Sequence, residues 1–163
     1  QLAGTMGMSK RIEAIQVRVV PNASLQNEPY VLAKAHVQTY GWKDWMPESC
    51  IVGTEGESKR VEAINLQLCN ANGITISGKV HVQNYGWLEY NNITSDTLLG
   101  TAGESKRVEA INFHLNGTNK YKLQYRAHRQ TYGWTDWVDE GNDAGTVGES
   151  KRLEAVEFRI VAK

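Results

Sequence analysis

Two cysteines in 163 residues, Cys50 and Cys69, allow one disulfide at most, which excludes a disulfide framework as the basis of the fold. No apolar run is long enough for a transmembrane helix. Neither sign of charge prevails, since 18 Lys and Arg balance 18 Asp and Glu. A protein that binds nucleic acid or an anionic membrane carries a basic excess, so such partners are not expected here. The chain opens on Gln1 without a signal-peptide pattern, as a mature or excised segment would. Asn22, Asn92 and Asn116 stand in acceptor sequons, a pattern that arises by chance where Asn is common.

What the chain does have is repetition. GTEGESKRVEAI at 53–64 returns as GTAGESKRVEAI at 100–111 and GTVGESKRLEAV at 145–156, with a looser copy, GTMGMSKRIEAI, at 4–15. A second block precedes three of these tails: HVQTYGWKDW at 36–45, HVQNYGWLEY at 81–90 and HRQTYGWTDW at 128–137. The spacing from one Gly-Thr to the next is 49, 47 and 45 residues. The chain therefore divides into a surplus tail at 1–20 and repeats at 21–69, 70–115 and 116–163, packed as one domain.

Period-two alternation of Ile64, Leu66 and Leu68 with Asn65 and Gln67 marks a half-buried strand. Ile111, Phe113 and Leu115 repeat it, as do Val156, Phe158 and Ile160. One repeat cannot bury its apolar face alone, so the repeats must close on one another. Three units of roughly 45 residues with about four strands each predict an all-β fold, a β-trefoil with pseudo-threefold symmetry. A β-propeller or another repeat array is the alternative, although three blades are too few for the usual ring.

The pairing of HVQxYGW, an aromatic three residues on, and GTxGxSKRxEAI with an apolar strand resembles the clostridial hydrophobic repeat with a conserved Trp, the ChW repeat. The likeness covers nearly the whole chain. It implies a secreted or cell-surface protein and a binding role toward carbohydrate, cell wall or other proteins rather than catalysis. It implies no ligand of known identity. Tyr90 stands where the other repeats have Trp45 and Trp137, and Arg129 interrupts the HVQ pattern, so sites built there should differ between repeats.

The Gly-rich tail invites a phosphate-loop reading, which fails: a P-loop needs Gly-Lys-Ser/Thr opening a helix, whereas here Ser58 precedes Lys59 and a strand follows. Glu62, Glu109 and Glu154 share the parity of the core residues, so each must be paired, with Arg60, Arg107 and Arg152 or with His36, His81 and His128 as partners. One His and one Glu per repeat do not complete a metal site, and no cofactor is expected. Three equal copies of an active site in so small a domain are implausible, so no enzyme is expected.

The aromatics carry the functional expectation. A sugar presents a C–H face and a ring of hydroxyls, which suits an aromatic platform beside a carboxylate. Trp45 with Asp44, Tyr90 with Glu89 and Trp137 with Asp136 are the candidate ligand-binding residues, joined by Tyr40, Tyr85 and Tyr132. Of two aromatics three apart, one should face inward. Trp42, Trp87 and Trp134 follow the Gly without exception and are assigned to the core. The function expected is multivalent glycan recognition at a cell surface or polysaccharide, with a structural or protein-interaction module as the alternative.

Overall fold

The structure, a computed structural model, describes residues 27–163, so the surplus tail lies outside the described residues. Within them every regular element is a strand. The first repeat supplies β1 (Tyr30–Val37), β2 (Gly41–Trp42), β3 (Val52–Gly53) and β4 (Val61–Cys69). The second supplies β5 (Thr75–Val82), β6 (Gly86–Ile93), β7 (Leu99–Gly100) and β8 (Val108–Asn116). The third supplies β9 (Tyr121–Arg129), β10 (Gly133–Trp134), β11 (Val138–Asp139), β12 (Ala144–Gly145) and β13 (Leu153–Ala162).

In each repeat the head strand lies antiparallel to its own tail strand, with Ala35 opposite Ile64, Val80 opposite Ile111 and Ala127 opposite Val156. The short Gly-Thr strand leaves home. β7 of the second repeat pairs with β4 of the first, β12 of the third with β8 of the second, and β3 of the first with β13 of the third. The exchange runs once around and closes, giving three antiparallel sheets ordered β2-β1-β4-β7, β12-β8-β5-β6 and β10-β9-β13-β3, with β11 beside β9. The expected all-β repeat architecture is present, with the long ladders lying in three antiparallel sheets. At each crossing the glycine (Gly53, Gly100 or Gly145) has a positive φ, and a Cβ would strike the carbonyl oxygen of Glu154, Glu62 or Glu109.

The inner faces of all three sheets meet in one hydrophobic core. Val31, Ile64, Leu66, Ile76, Ile111, Phe113, Leu153 and Phe158 are fully buried or nearly so, each stabilising the fold by about 1.5–3 kcal/mol relative to exposure. The three repeats do not contribute alike. Three residues before the head His stand Ala33, Gly78 and Tyr125. Tyr125 fills the centre, edge-on to Phe113 at 6.0 Å and tilted against Phe158 at 6.2 Å between ring centroids. Gly78 gives way, because a Cβ there would strike the Phe113 ring. The Tyr125 hydroxyl donates to Asn142 O at 2.6 Å and accepts from the Phe113 amide at 3.0 Å. Burial, with Asp143 nearby, pushes this hydroxyl up to about 12, against the pull of its backbone hydrogen bonds.

Two seams of the ring are tied by a glutamate. Glu48 accepts the Val31 amide at 3.1 Å and the Ile160 amide at 2.8 Å, joining the first repeat to the third. Glu140 accepts the Leu115 amide at 3.0 Å and the Leu123 amide at 3.2 Å, joining the second to the third. Each stands three residues after the second aromatic, where the second repeat has Ile93, buried and paired with Ile76. Burial holds the Glu48 carboxyl above its ordinary value, overriding those two amides. At Glu140 burial pushes the same way, but the Leu115 and Leu123 amides and Lys163, 3.1 Å away, together hold the carboxyl below its ordinary value.

Candidate functional site

Each repeat has an outer corner where the Tyr-Gly-Trp turn meets the Gly-Glu-Ser-Lys-Arg turn. The first turn is closed by the Tyr40 amide on Val37 O at 3.0 Å, repeated by Tyr85 on Val82 and Tyr132 on Arg129. Thr39 and Gly41 both have left-handed backbones, with φ of 70° and 73°. That path lifts the tyrosine onto the tip and brings the following Trp back over the head strand. Tyr40, Tyr85 and Tyr132 are 53%, 52% and 52% exposed. Their hydroxyls donate to Glu57 at 2.6 Å, Glu104 at 2.7 Å and Glu149 at 2.9 Å, which raises each phenol above its ordinary value. Lys59 lies 5.7 Å from the Tyr40 ring centre and Lys151 lies 5.6 Å from that of Tyr132.

Beneath each corner lies a carboxylate cluster. The ladder of β1 and β4 skips Glu62, pairing Val37 with Val61 and His36 with Ala63. The same bulge leaves out Glu109 and Glu154. It breaks the simple alternation at Glu62 and turns the carboxylate toward the histidine; Asn65 on the other face is buried too, its Nδ2 donating to Thr97 O at 2.7 Å. Glu62 takes Arg60 at 2.7 Å on one oxygen and has His36 Nδ1 at 3.0 Å from the other, within ion-pair distance but out of hydrogen-bond alignment. Arg107–Glu109–His81 and Arg152–Glu154–His128 repeat the arrangement. Held by its arginine on one oxygen and set beside its histidine on the other, this buried glutamate fixes the bulge and the turn above it.

The first Trp is not in the core. Trp42 is 39% exposed, and Trp87 and Trp134 are half-buried. Each packs edge-on against the head His, at 5.5, 5.2 and 5.3 Å between ring centroids. The expectation of an inward ring fails because the residue on the Trp side of the head strand is a cation: Lys34, Lys79 or Arg126. These lie 5.0, 4.4 and 4.8 Å from the first Trp ring.

The second aromatic divides the repeats. Trp45 comes back over Lys34 at 4.8 Å, and Trp137 over Arg126 at 5.0 Å and Arg159 at 4.0 Å, so both rings are half-buried on the outer sheet face. Tyr90 turns inward instead. It is opposite Gly78 in the β5–β6 ladder, packs on the core and accepts the Gly100 amide at 3.1 Å. The outer face of that sheet is left as an open groove of about 290 Å³.

Asp44, Glu89 and Asp136 are exposed, each beside its aromatic in sequence but without a protein partner among the described residues. The structure thus brings Tyr40, Tyr85 and Tyr132 to the surface, sets Trp45 and Trp137 on cations, and withdraws Tyr90. Sequence reasoning missed Glu57, Glu104 and Glu149, although their fixed place in Gly-Glu-Ser-Lys-Arg was a visible signal. Both thiols, Cys50 and Cys69, are free. Asn92 is exposed, whereas the Asn116 amide donates to Ser77 at 3.0 Å. No group of three or more metal-ligating side chains occurs among the described residues.

The model of one protein family, described as Clostridial hydrophobic W, matches residues 1–21, 36–70, 81–117 and 128–162. No curated protein and no solved structure matches the chain.

Proposed function

Because the chain belongs to the Clostridial hydrophobic W family, a repeat module of surface proteins, we propose that it is a non-catalytic extracellular module that binds carbohydrate of a cell surface or polysaccharide at its outer corners. The observation that supports this most is the set of three exposed tyrosines, each anchored through its hydroxyl to a glutamate of the facing turn. An aromatic ring held rigid at the surface accepts the C–H face of a sugar, and the adjoining carboxylate accepts its hydroxyl protons. The three sheets supply the pseudo-threefold frame that a trefoil was expected to supply. Each corner alone is shallow and binds weakly, and three on one frame raise the overall affinity through effective concentration.

Glycan-array and polysaccharide pull-down measurements on Tyr40→Ala, Tyr85→Ala, Tyr132→Ala and the triple variant test this. Single variants should lose several-fold in apparent affinity and the triple variant should lose the multivalent retention that the three corners give, with the strand circular-dichroism signal kept. A folded wild-type protein that retains no glycan sinks the proposal and leaves a protein-interaction module in its place.

A further inference from the structure

In the first and third repeats a flat ring, Trp45 or Trp137, covers the cation on the outer sheet face. In the second repeat Lys79 has Trp87 at 4.4 Å and no second aromatic ring among the described residues, because Tyr90 has turned inward. The open groove of about 290 Å³ lies there. Its polar groups are arranged and unspent. Asn112 is buried, and its Nδ2 is fixed by Gly141 O at 2.9 Å and Asp143 Oδ1 at 2.6 Å, which leaves Oδ1 as an acceptor. Glu89 sits directly opposite Lys79 in the ladder without pairing with it. Asn91 and His114 line the same groove and have no partner among the described residues.

The covered face of the third repeat differs in this respect. Glu157 is held by Arg126 at 3.0 and 3.1 Å, Asp139 by Lys122 and Gln124, and Gln124 by Arg159. A Trp ring seals groups that already satisfy one another. An indole laid on the second repeat would strip water from Glu89, Asn91, Asn112 and His114 and return at most one hydrogen bond, leaving the other groups unpaired. A ring bearing hydroxyls at its rim fits the same space and answers those groups. The balanced charge of Lys79 and Glu89 favours neither an anion nor a cation.

We infer that the outer face of the second repeat is a separate binding site for one neutral saccharide ring, taken in the place that Trp45 and Trp137 occupy in the other repeats. Hydroxyls of the ring donate to Glu89 and Asn112 and accept from Lys79 and His114. The site shares its ligand class with the corner reading but none of its residues, and its stoichiometry is one per chain rather than three.

Amide chemical-shift mapping with glucose, galactose, mannose, N-acetylglucosamine and their disaccharides tests it, with indole as the aromatic competitor. At least one sugar should perturb Lys79, Glu89–Asn91, Asn112 and His114 as a group, and Glu89→Ala and His114→Ala, both at exposed positions, should weaken it about tenfold. The Tyr40/Tyr85/Tyr132 triple alanine variant should keep this response, which separates the groove from the corners. The inference is overturned if no sugar moves these resonances, if Lys34 and Arg126 respond equally, or if indole binds where sugars do not.

Discussion

The second repeat and its two neighbours build the same pair of long strands and finish them in opposite ways. In the first and third, the strand after the Trp is broken: β2 is two residues long and is followed by a single bridge between Ala33 and Met46, while β10 and β11 are separate pieces. The gap lets Trp45 and Trp137 swing onto the outer face. In the second, β6 continues as strand past the Trp and pairs regularly from Gly86 to Tyr90, so alternation sends Tyr90 inward before a bulge brings Ile93 to the same face. The glutamate that ties the other two seams is replaced there by Ile93. Symmetric repeats can thus share a frame while one of them trades a packed face and an ionic tie for continuous strand and open polar surface.

The largest test of that inequality is in the core. Tyr125 fills a volume that Ala33 and Gly78 leave free, so Tyr125→Ala should cost about 3–5 kcal/mol in urea unfolding. Tyr125→Phe, which keeps the volume and loses the hydroxyl, should cost about 1–3 kcal/mol. The raised phenol also has a pH signature. Below about pH 10, the unfolded tyrosine value, its contribution is complete; as pH rises toward about 12 the unfolded chain ionises first and about 2–3 kcal/mol is lost. Tyr125→Phe should lack that alkaline loss.

Next come the seams. Glu48→Ala and Glu140→Ala each abandon two strand amides and should cost about 2–3 kcal/mol. Their glutamine variants differ in the sign of their pH dependence. The depressed Glu140 stabilises above the unfolded carboxyl value, and that gain is lost as pH falls; the raised Glu48 behaves oppositely, its contribution being complete in acid and lost as pH rises. Between about pH 3 and pH 7, Glu140→Gln should therefore fall behind the wild type with rising pH while Glu48→Gln gains on it. Equal slopes in the two series of urea titrations would erase the distinction.

The smallest effect belongs to the covering rings. Trp137→Ala should lower stability by about 1–2 kcal/mol and Trp45→Ala by about 0.5–1 kcal/mol, because Trp137 rests on two guanidinium groups and Trp45 on one ammonium. Thermal melts of the two variants give the order directly.

Much of the frame was legible in the sequence because repetition and period two are properties of the chain alone. Ile64, Phe113 and Val156 announce their strands, and Arg60 and His36 were the natural partners for a buried Glu62. What lay beyond reading were features that depend on register. A bulge inserts one residue and resets parity, so Glu62 leaves the face its spacing assigned to it. The direction of Trp42 depends on Lys34 across the strand rather than on its own neighbours. Tyr90 and Trp45 occupy equal places in the chain, yet the length of the strand that carries them decides which one points inward. The exchange of β3, β7 and β12 leaves no trace beyond three glycines, whose missing Cβ atoms mark where another backbone must pass.

That exchange also limits how such a module can grow. A solenoid accepts one more repeat at either end, since each unit asks only for a neighbour. Here every unit lends a strand to the unit before it and borrows one from the unit after it, and the first unit closes the cycle by lending to the third. A unit inserted within the cycle would have to reopen the contact between Gly53 and Ala155 and share out the space around Tyr125 anew. Size in this design is quantised: lengthening means a second complete cycle, not a fourth member of this one.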